Sequence, residues 1–387
     1  MLPDPGRARP TGPIEPPASV APSPAMHAQH RPRRLALVCA PLALGGVLGL
    51  LAPAGPRGDA LSFHVAQGAT LARSFASRQE ASQDEVEMLL NGQPMPSGIT
   101  NGMTLVQEQR LELSDEFVEP GSGRADAAPR LLRRSFLGIE ASGEQSTENP
   151  MDAGRQEDRR HSKSELEGKT VVFEWDEAQR THSKRFDPEG PAIQLLEGLV
   201  EDTDFRALLP PEGAAEPGDT WDLDAAVISS LLMPAGNLCL VAEEGPDRKE
   251  SDPGALSAGD PSRAFAGLEG EVEATYKGAR DVDGTRCGII ALEFKVHSKR
   301  DLKEELARFS HSDLEIERVE AFLSLEGEGE LAWDLAGGHG RSLNLSGKLK
   351  NQMDVSMKLV QSDRTLPIRR KMMMSGTYEL QANVERR

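Results

Sequence analysis

The chain has 387 residues and a net charge of −18, from 44 basic and 62 acidic side chains. That balance argues against a general nucleic-acid binder, which needs basic surface to displace counterions, and three cysteines are too few to staple a chain of this length. With 38% apolar and 4% aromatic residues, the composition suits one domain of roughly 200–300 residues with unstructured extras and offers little for stacking bases or sugars.

Residues 1–25 are rich in Pro, Ala and Gly and read as unstructured. Arg31, Arg33 and Arg34 then precede the apolar run LALVCAPLALGGVLGLLA at 35–52. Ala52-Pro53-Ala54 and Gly58-Asp59-Ala60 follow as candidate cleavage sites. Basic, apolar and small-residue stretches in this order make a secretory signal. Residues 1–60 are therefore expected to be an N-terminal extension plus signal, with Met26 as an alternative start. The protein is expected to be exported, periplasmic or extracellular, with membrane contact only through a retained signal. Export permits disulfides. Cys239 and Cys287 are the candidate pair; the alternative is two separate buried thiols.

Residues 61–387 are expected to form one coiled-sheet domain, read either whole or as half-sheets 61–185 and 186–387. Val86, Met88 and Leu90 alternate before the turn Asn91-Gly92, and 103–113 and 131–140 also read as strands. The polar stretches 119–130 and 141–165 read as loops. A strand resumes at 169–175 with Val171, Phe173 and Trp175. A helix is predicted over 191–209, with Ile193, Leu196, Leu199 and Val200 on one stripe and Pro191 at its start. A shorter one is predicted over 224–232, and 243–263 reads as a surface loop.

The C-terminal third is written in period two. Val272, Ala274 and Tyr276 alternate with Glu271, Glu273 and Thr275; Ile290, Leu292, Phe294 and Val296 alternate with Glu293, Lys295 and His297 after a hairpin signal at Asp283-Gly284. A helix with a capping-box start is predicted over 301–309. Leu323, Leu325, Leu331, Trp333 and Leu335 then alternate with polar residues. From 343 to 359 the odd positions are Leu343, Leu345, Gly347, Leu349, Asn351, Met353, Val355, Met357 and Leu359. Met372, Met374, Tyr378, Leu380 and Val384 continue the pattern. Successive strand side chains face opposite ways, so these stretches give one apolar and one wet face. A turn centred on His339 would pair Trp333 with Leu345 and set Glu330 opposite Lys348. Glycines on the apolar face (Gly327, Gly329, Gly347, Gly376) suit strong coiling or close approach by a helix.

Motifs for catalysis are missing. There is no HExxH or Cys/His zinc pattern, no G-x-S-x-G elbow, no P-loop and no dinucleotide fingerprint. His-Ser-Lys occurs at His161, His182 and His297; chance strand-exit composition is favoured over a repeated basic motif. No cofactor and no metal site is expected, and no catalytic residue is nominated.

The segment from Phe186 to Trp221 runs FDPEG, a helical stretch, then RALLPPEGAAEPGDTW, then long alternating strands. This resembles uncharacterised exported bacterial β-proteins in which a "LP…GDTW"-like element precedes a coiled meander. The layout over 186–387 is also similar to periplasmic lipoprotein-carrier half-barrels, and the resemblance implies helices wrapped by a long antiparallel sheet around an acyl-binding cavity. The expected fold is mainly β (α+β): a long antiparallel coiled sheet or half-barrel meander packed on a few helices. The expected function is non-catalytic binding of an apolar ligand, a lipid or a lipidated partner on the concave face. Trp333, Leu345, Met353, Met357, Met374 and Tyr378 are the candidate contacts. The rival reading is a structural or protein-partner-binding envelope protein whose concave face is plugged by its own helices.

Overall fold

The computed structural model describes residues 58–95, 102–121, 128–148, 155–188, 190, 193–243, 265, 267–304, 314–361 and 364–387. In chain order the strands are β1 (Asp59–Ala60), β2 (Thr70–Leu90), β3 (Gln93–Pro94), β4 (Gly102–Glu119), β5 (Leu131–Glu148), β6 (Arg155–Lys163), β7 (Thr170–Asp176) and β8 (Thr181–Phe186). There follow β9 (Ala214–Ala215), β10 (Thr220–Asp222), helix α1 (Ala226–Leu232), β11 (Val241–Ala242), β12 (Glu269–Val282), β13 (Thr285–Asp301), β14 (Leu314–Asp334), β15 (His339–Gln361) and β16 (Arg364–Arg386). The expected run 35–52 and the first cleavage site lie outside the described residues. The second cleavage site does not: Asp59 and Ala60 pair with Ala215 and Ala214, and the Tyr276 hydroxyl donates to Asp59 Oδ2 at 2.5 Å.

Among the described residues fourteen strands form one antiparallel, open sheet in the order β10-β12-β13-β14-β15-β16-β2-β4-β5-β6-β11, with β3 beside β2, β7 joining β5 and β8 following β7. The fold is thus mainly β, as the alternation demands. The last strand, β16, pairs with the first long one, β2, so the N- and C-terminal halves are wings of a single sheet. Two-residue turns close two hairpins. Asn91 and Gly92 both take positive φ between Leu90 and Gln93, as do Asp283 and Gly284 between Val282 and Thr285, the geometry that Asn-Gly and Asp-Gly favour.

One cross-sheet row defines the core. Tyr276, Ile290, Leu331, Leu343, Ala382, Phe75, Leu111 and Ile139 lie side by side across eight strands, and all are buried. Leu61, Phe63 and Val65 pack there, as does the strap formed by 193–240, through Leu196, Leu199, Phe205, Leu208, Ile228 and Leu231. Alpha helix α1 falls inside the predicted 224–232. The predicted helix at 191–209 instead gives two 3-10 turns, Ile193–Leu196 and Arg206–Leu208. Gly198 at φ 76° breaks the period, and the Asp202 and Asp204 carboxylates accept from the backbone N–H groups of Asp204 and Arg206, an alternative to helical bonding. Ile193, expected on the buried stripe, is 72% exposed.

Two further expectations are corrected, and the open alternative at the cysteines is decided. The stretch 141–165 is largely strand, the end of β5 and β6, where polar residues pair as Gln145↔Asp158 and Glu144↔Arg159. The β14–β15 hairpin pairs Leu331 with Leu343 and Glu326 with Lys348, and Trp333 faces Gly340. Its turn is centred two residues earlier than expected, which shifts the pairing register by four. Asp334 Oδ1 accepts the Ala336 and Gly337 N–H groups and Gly338 takes φ 66°, which closes the turn before His339. His339, the predicted tip of the turn, is instead the first residue of β15 and is buried, with Nδ1 2.8 Å from Gly340 O. Finally, Cys239 and Cys287 are separate free thiols; Cys287 packs with Ile289 and Ala332 on the opposite face of the sheet. The predicted loop 243–263 and residues 305–309 of the predicted 301–309 helix fall outside the described residues, although Asp301 Oδ1 does accept the Lys303 N–H.

Candidate functional site

The core covers only part of each long strand. Strands β14 to β16 have 21–23 residues, about 70–75 Å at ~3.3 Å per residue. The core cluster ends near Leu323, Leu325, Leu349 and Tyr378. Its glycines serve coiling, not helix approach: a Cβ on Gly376 would lie 1.9 Å from Glu80 O on β2, and one on Gly327 2.2 Å from Ser346 O and 2.7 Å from Phe294 Cζ. Neighbouring backbones and the Phe294 ring occupy that space.

Beyond the core and a row that holds Asn351 and Gln83, the same face carries four more rows that are apolar except at Arg370. Ala321, Met353, Met372 and Val86 form the first. Val319, Val355, Arg370 and Met88 form the second, and Ile316, Met357, Ile368 and Leu90 the third. Leu314, Leu359 and Leu366 form the last. Most of these are half-buried, and none joins the core cluster. On β16 the rows run from Met372 to Leu366, six residues or about 20 Å along the strand. The other face of the same strands is polar. Arg369 holds Asp354 through Nε at 3.1 Å and Nη2 at 2.5 Å, which keeps that carboxyl below its usual range, and Arg318 meets Glu320 at 2.6 Å.

The six predicted contacts divide. Trp333, Leu345 and Tyr378 are core residues, and Met374 is buried at the boundary. Met353 and Met357 stand on the distal face. Met88, Val86, Met372 and Ile368 share that face but were not among the candidates. The alternation at Val86-Met88-Leu90 was visible; the pairing of β2 with β16 that brings it beside Met372 was not. Within the core, a cavity between Phe75, Thr203, Phe205, Leu208 and Leu231 has a volume of about 20 Å³, room for little more than one water.

A buried ionic cluster clamps the strap to the sheet. Arg73 on β2, Asp115 on β4 and Arg134 on β5 are all buried. Arg73 Nε donates to Asp115 Oδ2 at 3.0 Å; Arg134 donates to both carboxylate oxygens at 2.7 and 3.0 Å. Arg134 also donates to the carbonyls of Val200 and Glu201, and Arg73 to that of Thr203, at 2.6–2.8 Å. The guanidinium of Arg134 lies 5.3 Å from the Phe173 ring centroid. Burial works against the Asp115 charge, yet Arg134 and Arg73 beside it hold its carboxyl below the usual range. Burial pushes Asp204 up to about 7; Arg206, 2.6 Å away, opposes that rise and the Asp202 carboxylate adds to it. The cluster presents no nucleophile and makes its bonds internally, so its chemistry is that of a fastener.

The three His-Ser-Lys sites are not equivalent. His182 is buried, with Nε2 2.8 Å from Pro129 O, whereas His161 and His297 are exposed. Among the described residues no His, Cys, Asp and Glu group is arranged to hold a metal ion, and no helix is long and apolar enough to cross a membrane. No protein-family model and no curated protein matches the chain.

Proposed function

We propose that this is an exported, non-catalytic binding module that holds an apolar ligand, a lipid or the acyl chain of a lipidated partner, on the distal face of its sheet. The observation that carries this reading is the continuation of one largely apolar face over four rows, about 20 Å, past the core, on strands whose other face carries charges. Half-buried Met, Val, Ile and Leu in a contiguous patch are costly to leave in water and typical of interaction sites, and methionine adapts to ligands of varied shape. The strap supports the rival, structural reading over the proximal half only, where its side chains fill the sheet.

The test is binding of the fluorescent probe N-phenyl-1-naphthylamine to the purified chain. Wild type is expected to bind it. The double variant Met88→Glu/Met357→Glu should weaken binding at least about tenfold, since charge on an apolar surface disfavours an apolar guest, with the melting temperature nearly unchanged. Unchanged probe binding in that variant would place the ligand elsewhere and defeat the reading.

A further inference from the structure

We propose that the distal face takes a fatty-acid anion and that Arg370 binds its carboxylate, a proposal that rests on the reading of this face as an apolar binding surface. Among the described residues of the four distal rows on β14, β15, β16 and β2, Arg370 is the one ionisable side chain. Val355 and Met88 flank it across the sheet, and Ile368 and Met372 along its own strand. Its recorded contact is with the Met372 thioether, Nη2 to Sδ at 4.0 Å. No carboxylate meets it among the described residues, although Val355 and Met88 occupy positions from which an acid would reach it. The adjacent Arg369, on the polar face, is held at both ends of its fork by Asp354. The sheet thus satisfies the arginine on one side and leaves the other in an apolar field.

A guanidinium offers parallel N–H donors that match the two oxygens of a carboxylate. A single cation within these four strands suits a monoanion; the neighbouring base Arg300, opposite Ala321 on β13, is engaged in interactions of its own. Arg370 is exposed while its same-face neighbours on β16, Ile368 and Met372, are half-buried, so a bound amphiphile would keep its head wet and lay its chain along Met372 and Met353 toward the core. From Arg370 to Met374 the face offers four residues, about 13 Å along the strand, close to the length of one medium acyl chain.

Calorimetric titration of the purified full-length chain with laurate, and with dodecanol as its neutral counterpart, tests this at pH 8. Laurate should bind about tenfold more tightly than dodecanol, the scale of one charge-assisted contact at a wet site. Arg370→Met should abolish that preference and leave dodecanol binding unchanged; Arg370→Lys should retain part of it. Equal binding of laurate and dodecanol by wild type, or an unaltered preference in Arg370→Met, overturns the assignment and leaves the apolar face standing. A stronger preference for dodecyl phosphate than for laurate replaces the carboxylate with a phosphate head. Failure of both laurate and dodecanol to bind overturns the face and the anion together.

Discussion

Asp115→Ala is expected to destabilise the protein by about 3–5 kcal/mol, because it removes the carboxylate that two buried guanidiniums share. Both Arg73 and Arg134 are without solvent contact at their side chains, so neither can recover its hydration without opening the fold. The damage should spread beyond the pair. The same guanidiniums hold the strap through the carbonyls of Val200, Glu201 and Thr203, so segment 199–206 should lose protection from hydrogen exchange. Urea unfolding measures the loss. The companion variant Arg73→Met/Asp115→Leu/Arg134→Met, which removes every charge of the triad, should recover most of it, since replacing a buried ionic group by apolar side chains is often neutral or better. A loss within about 0.5 kcal/mol for Asp115→Ala, the range of ordinary surface substitutions, would mean that water reaches the cluster.

The second large effect is expected at the seam between the two wings. Gly376 on β16 faces Ala81 on β2, and a Cβ added there would lie 1.9 Å from Glu80 O and 2.6 Å from the Ala81 Cα. Those are backbone atoms, which do not rotate away, so Gly376→Ala must part the strands. Overpacking of this kind costs about 1–3 kcal/mol, and this site belongs at the upper end. Gly347→Ala is the control: its Cβ would meet Glu326 O at 3.1 Å and Phe294 Cζ at 3.4 Å, contacts that a small shift relieves. Thermal unfolding of the two variants should rank Gly376→Ala as the less stable. The reverse order would contradict the close approach of β2 and β16.

Sidedness was legible in the sequence because burial of one face forces period two on any strand that crosses it. Met372 and Met374 inward with Met373 outward follows from that rule alone, and the pairing holds it. Where both faces are wet the rule has no purchase, so β6 and the end of β5 read as loop. Register was harder. The β14–β15 turn is set by the Asp334 carboxylate and by Gly338 at positive φ, and a shift by an even number of residues keeps every side chain on its proper face. The pairing of β16 with β2 joins residues some 290 apart, and no local pattern announces it. The ionic cluster did leave a trace. Arg73 stands between Leu71 and Phe75, Asp115 between Leu113 and Phe117, and Arg134 between Leu132 and Phe136. Each is a charge at an inward position of an apolar alternation, and three such breaks of mixed sign on successive long strands foretell a buried pair.

Native mass spectrometry of the chain, exported in a bacterial host and purified without detergent, tests the binding function most directly. Wild type should carry a reproducible extra mass that organic extraction releases as acyl lipid, and Met88→Glu/Met357→Glu should arrive without it. A clean mass for the folded wild-type chain, with no extractable lipid, would contradict a lipid-holding face and favour a sheet closed to ligands by its own strap.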